Sequence, residues 1–429
     1  MTPEIKQRID KICHGEVPEG YQRTFLGIAP KSWDKSRIDK ICRLSSGSTP
    51  RRDAVENFAG DILWVTSGEL KRRTIEDTRE KISETAVVNS HLEIYDPGTV
   101  VIAIYGLEAA GIRGTVSIIG KQCTISQACM AFTEFKGIDN EFFYYWYLNN
   151  GQVIGLRYAQ GTKQQNLSTD IVGSFPICFP GQGEQQKIAA ILTTQDRVIE
   201  LKEKRLAGKQ RQKKYLMQQL LTGKKRLPRF SGEWKANRLR NITTRHTKRN
   251  TIGNTNVLTI SAQYGLINQA EFFNKAVASD DKSNYFLLEK GDFAYNKSYS
   301  NGYPFGAIKR LTRYEVGIVS PLYICFRIKE GSVSGEYLEQ YFEAGLMNHE
   351  IQAFAQEGAR NHGLLNIAVD DFFNSKILLP SPEEQAAIAE VLSASDREIG
   401  LLRQDIEHEK QKKKALMQLL LKGIVRVKI

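Results

Sequence analysis

The apolar runs in this chain are short, among them the six residues from Val100 to Tyr105. A helix that spans a bilayer needs roughly 18 to 20 such residues, so no transmembrane helix is expected. The stretch Met1 to Lys11 is polar rather than signal-like, and the chain reads as cytoplasmic. Cysteine is scarce: Cys13, Cys42, Cys123, Cys129, Cys178 and Cys325 never fall at the two- to four-residue separation of zinc sites, and the six histidines are scattered. No metal is expected, and the thiols read as reduced and structural. Cys13 and His14 are neighbours, but adjacent side chains point in different directions on either regular structure.

Catalytic motifs are missing as well. There is no Asn-Pro-Pro or Asp-Pro-Pro opening of an amino-methyltransferase tetrad and no phosphate loop. Gly114 and Gly120-Lys121 are one residue too far apart, and Gln122 stands where a hydroxyl residue is needed. The glycines of Gly106 to Gly114 are too loosely spaced for a dinucleotide fingerprint. Glu134-Phe135-Lys136 resembles half of a nuclease metal site, yet no Pro-Asp pair precedes it. The expectation is a chain with no catalytic residues and no cofactor of its own.

What is present begins with charge. Lys and Arg outnumber Asp and Glu by 60 to 48, for a formal charge of +12 and a pI near 9.2. That balance favours a polyanionic partner, nucleic acid first. At 429 residues the chain is too long for one ordinary core, so at least two domains are expected.

An internal repeat organises the chain. Offset by 200 residues, Pro180 to Leu227 aligns with Pro380 to Val427, and 19 of those 48 positions are identical. The matches include Glu184-Gln185, Ile188-Ala189, Asp196-Arg197, Lys213-Lys214 and Leu216-Met217-Gln218 with their counterparts in the second copy. A weaker match opens each half, where Trp33, Ile38 and Ile41 correspond to Trp234, Leu239 and Ile242. The stretches between, about 43 to 178 and 244 to 378, share only sparse features such as Gly98 with Gly291 and Ser126 with Ser320. Arg8 to Cys13 is also duplicated at Arg37 to Cys42, a local duplication with no function assigned.

Each repeated segment has a seven-residue apolar period, the mark of a coiled-coil seam. In the first copy the packing positions are Ile188, Leu192, Ile199, Leu206, Leu216 and Leu220, with polar breaks at Gln195, Lys202, Lys209 and Lys213. In the second they are Ile388, Leu392, Ile399, Leu402, Ile406, Leu416 and Leu420. Pro180 and Pro380 before the runs and Gly223 and Gly423 after them punctuate helices over Glu184 to Leu221 and Glu384 to Leu421. Only Gly208 argues mildly against continuity. A helix of about 38 residues spans roughly 57 Å and cannot bury its stripe alone, so the two are expected to pack antiparallel. Arg197 to Arg229 carries 12 basic residues against Glu200 and Glu203, a run suited to bordering DNA or docking an acidic partner.

The variable regions hold short β-rich runs, Thr99 to Tyr105, Thr115 to Ile119 and Gly317 to Arg327, mixed with aromatic segments such as Phe142 to Leu148. The fold class is α+β: two globular target-recognition domains separated by two long antiparallel coiled-coil helices in a pseudo-two-fold repeat. The boundaries are 1–180, 181–223, 224–380 and 381–429. Donor-rich loops supply the candidate DNA contacts. In the first region these are Ser46, Ser48, Thr49, Arg51, Arg52, Tyr105, Arg113, Lys163, Gln164, Gln165 and Asn166. In the second they are Arg245, His246, Lys248, Arg249, Asn296, Lys297, Ser298, Tyr299, Arg360, Asn361 and His362. Arg can grip guanine edges and Asn or Gln adenine, while Lys, Ser and Thr hold phosphates. A coiled-coil scaffold that touches DNA weakly or not at all stays open on these grounds.

Three motifs resemble the specificity subunits of type I restriction-modification enzymes. Glu184-Gln185-Gln186-Lys187-Ile188-Ala189-Ala190-Ile191-Leu192 is similar to the opening of that family's central helix, and Leu220-Leu221-Thr222-Gly223-Lys224-Lys225-Arg226-Leu227-Pro228 to its close. Phe230-Ser231-Gly232-Glu233-Trp234 is similar to the lead-in to the second recognition domain, and Pro18-Glu19-Gly20-Tyr21 with Pro30-Lys31-Ser32-Trp33 to the lead-in to the first. The resemblance implies that each variable region reads half of a split DNA target while the helices fix the gap. It also implies two methyltransferase subunits and two ATP-dependent translocase-nuclease subunits as partners, which would hold the S-adenosylmethionine, ATP and Mg. The tail from Gly423 to Ile429 lacks the Lys-Arg-Leu-Pro continuation, as expected of a copy that opens no further domain.

Overall fold

A computed structural model describes residues 2–104, 115–157, 167–261, 264–273, 281–299, 302–357 and 365–427. In the first variable region the strands are β1 (Arg43–Ser46), β2 (Ile62–Val65), β3 (Thr74–Ile75), β4 (Val100–Ala103), β5 (Val116–Ile119), β6 (Cys123–Ile125) and β7 (Cys129–Thr133). Helix α1 (Asn140–Arg157) follows, then the long α2 (Gln182–Leu220). The second region contributes β8 (Thr243–Arg245), β9 (Leu258–Ser261), β10 (Gly265–Asn268), β11 (Phe293–Asn296), β12 (Ala307–Arg310), β13 (Val316–Val319) and β14 (Ile324–Ile328). Helix α3 (Gly335–Glu343) and the second long helix, α4 (Pro382–Leu420), close the order.

The chain divides into two compact units, Met1–Lys202 with Asp405–Ile429, and Glu203–Gln404. The sequence boundaries treat each long helix as a segment of its own, whereas the contacts split both helices between the units. Each unit therefore combines one variable region with the first half of one helix and the second half of the other.

In the first unit the central sheet runs β1-β7-β4-β5-β3. Helix α1 covers it and is buried all round over Phe142, Phe143, Tyr144, Tyr145, Trp146 and Tyr147, which explains why this aromatic segment shows no amphipathic period. One core joins Ile102 and Phe132 of the sheet, these aromatics, Ile188 and Leu192 of α2, Met417 and Leu420 of α4, and Leu421 just after it. The second unit repeats the plan with a sheet of order β8-β14-β11-β12, α3 in place of α1, and a core joining Phe293, Phe326, Tyr337, Phe342, Ile388, Leu392, Met217 and Leu220. Four strands of the first sheet, β1-β7-β4-β5, correspond in order to the four of the second although the sequences barely match. Gly98 and Gly291 both adopt positive φ, and Ser126 and Ser320 each come directly after the equivalent strands β6 and β13.

The long helices begin two residues earlier than expected and end one residue earlier, and Gly208 does not interrupt α2. The run Gly317 to Arg327 is two strands rather than one. Pro321 has no N–H to offer a ladder, so β13 stops and Tyr323 closes a turn on the Ser320 carbonyl. The duplicated hexapeptide lies in two settings: Arg8 to Cys13 closes an N-terminal helix without a buried residue, while Arg37 to Cys42 forms one helical turn that buries Ile38 and Ile41. Among the described residues no helix is long and apolar enough to cross a membrane.

Candidate nucleic-acid interface

The polar identities of the repeat hold each variable region on the helices. In the first unit Gln185 accepts from the Asp139 N–H at 2.7 Å and donates to the Gly137 and Pro180 carbonyls. Buried Glu184 accepts from Nε and one terminal nitrogen of Arg426, at 2.8 and 2.7 Å, and from the Val427 N–H. Asp196 accepts from Tyr145 at 2.7 Å and lies 2.5 Å from Lys413. The second unit repeats this. Gln385 receives the Ser334 N–H, Glu384 binds Arg226 twice at 2.6 Å and also Trp234, and Asp396 binds Gln340 and Lys213. The identities were visible in the sequence, but their role as anchors was not.

Several of the basic residues of α2 are committed to acids on α4. Within the first unit Lys202 binds Asp405 and Glu409 at 2.9 and 2.8 Å, and Gln195 binds Glu409 at 2.6 Å. Within the second, Lys209 and Arg205 meet Glu398, and Lys213 meets Asp396. In both sets the α4 number falls as the α2 number rises, so each pair of half-helices is antiparallel. Hydrogen bonds from Lys202 and Gln195 hold the Glu409 carboxyl down at about 2. Along the apolar stripes Ile188, Leu192, Ile199, Leu220, Ile388, Leu392, Ile399, Leu402, Ile406 and Leu420 are buried, and Leu206, Leu216 and Leu416 half-buried.

At one end of the first sheet the strand connections converge. After β1, the Gly47 N–H meets the Cys129 carbonyl and the Ser48 N–H the Ile125 carbonyl, both at 3.3 Å. A Cβ on Gly47 would lie 2.0 Å from the Ile125 oxygen, so only glycine lets this loop close. After β4, the Ile104 carbonyl receives the Leu167 N–H, and the Thr115 carbonyl before β5 receives the Ala103 N–H. Ser46 is exposed here, with Ser48 and Thr49 half-buried beside it. Tyr105, Arg113 and Lys163, Gln164, Gln165 and Asn166 lie outside the described residues; their described neighbours Ile104, Thr115 and Leu167 all meet at this end. Arg51 is exposed and paired only with exposed Asp53. Arg52 has a structural job that competes with base contact, gripping Glu80 while stacking on Phe58 and Trp64 at 4.5 and 5.1 Å.

The second sheet gathers its candidates at the corresponding end. Arg245 ends β8 exposed, and the His246 N–H pairs with the Cys325 carbonyl while its Nε2 donates to Leu287. Asn296 ends β11 and Lys297, Ser298 and Tyr299 follow it, where the Lys297 carbonyl receives the Leu365 N–H as Ile104 receives Leu167. Tyr299 is exposed. Lys248 approaches Glu289 at 3.8 Å, and Arg249 donates to the Asn284 carbonyl over the Phe286 ring. Arg360, Asn361 and His362 lie outside the described residues, between Glu357 and Leu365. Burial pushes the thiols of Cys42, Cys123, Cys129 and Cys325 up to about 12, so they stay protonated and inert at neutral pH.

Sequence reading missed the loop from Thr66 to Arg73 at the same end of the first sheet. Its signal is three consecutive cations, Lys71, Arg72 and Arg73, shortly after a strand-like run.

Residues 30–208 match the family described as the type I restriction modification DNA specificity domain. The chain is 29% identical over 188 residues to the type I restriction enzyme MjaIX specificity subunit of Methanocaldococcus jannaschii, covering 43% of this chain and 42% of that one. It is 23% identical over 426 residues to the MjaVIII specificity subunit of the same organism, covering 93% and 94%. In fold it is similar to the S subunit of the type I restriction-modification system from M. genitalium, with a TM-score of 0.55 at 13% identity over 90% of this chain and 96% of that one. A chain from a structure on complex assembly and conformational transition of the type I R-M system gives 0.54 at 14%, over 92% and 99%.

Proposed function

We propose that this chain is a specificity subunit of a type I restriction-modification system, in keeping with the match of residues 30–208 to that family's DNA specificity domain, and that each of its two heads reads one half of a split, asymmetric DNA target. One observation carries this reading. Both sheets share a four-strand order and bring their donor-bearing connections to the same end, yet the side chains there differ: Ser46, Ser48 and Arg51 in one head, Arg245, His246, Asn296 and Ser298 in the other. A shared scaffold with different donors suits two different half-sites, because base edges are told apart by their donor and acceptor patterns. The repeated helices suit a spacer that sets the distance between half-sites, as paired binding elements do on duplex DNA. They also offer docking faces for two methyltransferase chains, with two translocase-nuclease chains completing the assembly. In this reading the chain works in the cytoplasm without chemistry of its own, and S-adenosylmethionine, ATP and Mg serve the partners.

Single-molecule methylation mapping of the host with and without the gene tests the proposal. Loss of one bipartite adenine motif is expected; no lost motif ends it. Exchanging residues 43–178 for those of a relative is expected to change one half of the motif only, and a heptad inserted within Glu184 to Leu221 to change the gap. A swap that alters both halves overturns the modular reading.

A further inference from the structure

The loop joining β2 to β3 is stiff and is built around one carboxylate. Glu69 accepts the Thr66 N–H at 2.6 Å and the Thr66 hydroxyl at 3.2 Å with one oxygen, and the Arg79 N–H at 2.7 Å with the other. Further along, the Arg72 carbonyl receives the Ser117 hydroxyl and the Arg73 carbonyl the Ile118 N–H, both at 2.7 Å, which fixes the loop against β5. The three successive cations then part company. Arg73 turns inward to an ion pair with Glu141, lies 3.9 Å from Asp196 and covers the Tyr144 ring. Lys71 and Arg72 stay exposed, and neither side chain has a hydrogen-bond or ion-pair partner among the described residues.

These two cations stand at the end of the sheet where Ser46, Ser48, Ile104 and Thr115 gather. We propose that Lys71 and Arg72 grip the phosphodiester backbone of DNA beside the bases read by the first head. This rests on the DNA-reading function above and adds residues to it. Two uncommitted cations on a rigid loop displace counterions on binding without having to surrender an existing partner. Base readout needs donors aimed at groove edges, whereas phosphate contact positions the duplex and carries no sequence information. The matching place in the second head, between β9 and β10, presents exposed Tyr264 before Gly265 instead of a cation. The two heads therefore hold the backbone unequally.

The test uses the full chain co-purified with the methyltransferase chain of its host. Binding is titrated by fluorescence anisotropy against a duplex carrying the mapped motif and a scrambled duplex, from 50 to 300 mM KCl. The double variant K71Q/R72Q is expected to weaken binding to both duplexes by the same factor, and to make the plot of log affinity against log salt shallower by about 2. Each single variant is expected to give about 1, which keeps the test available if the double variant fails to fold, and K71R/R72K to restore the slope. An unchanged slope, or an altered base preference at an unchanged slope, overturns the proposal. Wild-type protein that does not distinguish the two duplexes ends the parent reading, and this one with it.

Discussion

Lys413 lies 2.5 Å from Asp196, and the residues 200 positions removed from each, Lys213 and Asp396, lie 2.6 Å apart. The repeat thus pairs with itself crosswise, the lysine of one copy meeting the aspartate of the other. Tyr145 and Gln340 donate to the two aspartates from the helices that cover the sheets. Substituting Asp196→Asn and Lys413→Met, singly and together, is expected to show a coupling of about 0.5–3 kcal/mol in a double-mutant cycle read by urea unfolding. A coupling near zero makes this a solvated surface pair.

Arg226 and Glu384 form a bidentate pair whose carboxylate is almost fully buried. Removing one partner of such a pair leaves a charge without compensation. Arg226→Ala is expected to destabilise the second unit, because it leaves the buried Glu384 carboxylate without its partner. Replacing both partners with apolar residues is expected to recover most of that loss, read as the thermal midpoint.

The Glu409 carboxyl is held near 2 by Lys202 and Gln195, below its ordinary 4.5. A carboxyl depressed on folding stabilises the native state above its unfolded value, and the gain fades as pH falls toward the folded value. Pairing of the half-helices in the first unit is therefore expected to weaken between about pH 4.5 and 2. Glu409→Gln should flatten that part of the acid-unfolding profile followed by circular dichroism and leave its alkaline side unchanged.

Gly47→Ala places a methyl 2.0 Å from the Ile125 oxygen, a backbone atom that cannot step aside. Local opening of the Ser46 to Thr49 loop is expected, seen as faster amide exchange at Ser48. Binding to the half-site of the first head should fall while the other half is read normally.

The helices were legible because a seven-residue period over 39 residues is a local pattern, and local patterns survive in one sequence. Even the polar breaks had meaning, since Gln195, Lys202, Lys209 and Lys213 each meet an acid on α4. The shared strand order of the two heads was not legible. Sheet order is set by pairings between distant residues, as when Met130 faces Ser46 and Ile75 lies beside Ile119, and such pairings leave no periodic trace. The separate fates of Lys71, Arg72 and Arg73 follow from that same register, which decides which cation faces inward.

The division of the long helices bears on how the chain is made. The second unit is one continuous stretch, residues 203–404, and is complete as soon as that stretch has been synthesised. The first unit has to wait, because Met417, Leu420 and Leu421 belong to its core. A ribosome that stopped after Gln404 would release a finished second head and a first head, fully translated long before, with part of its core missing.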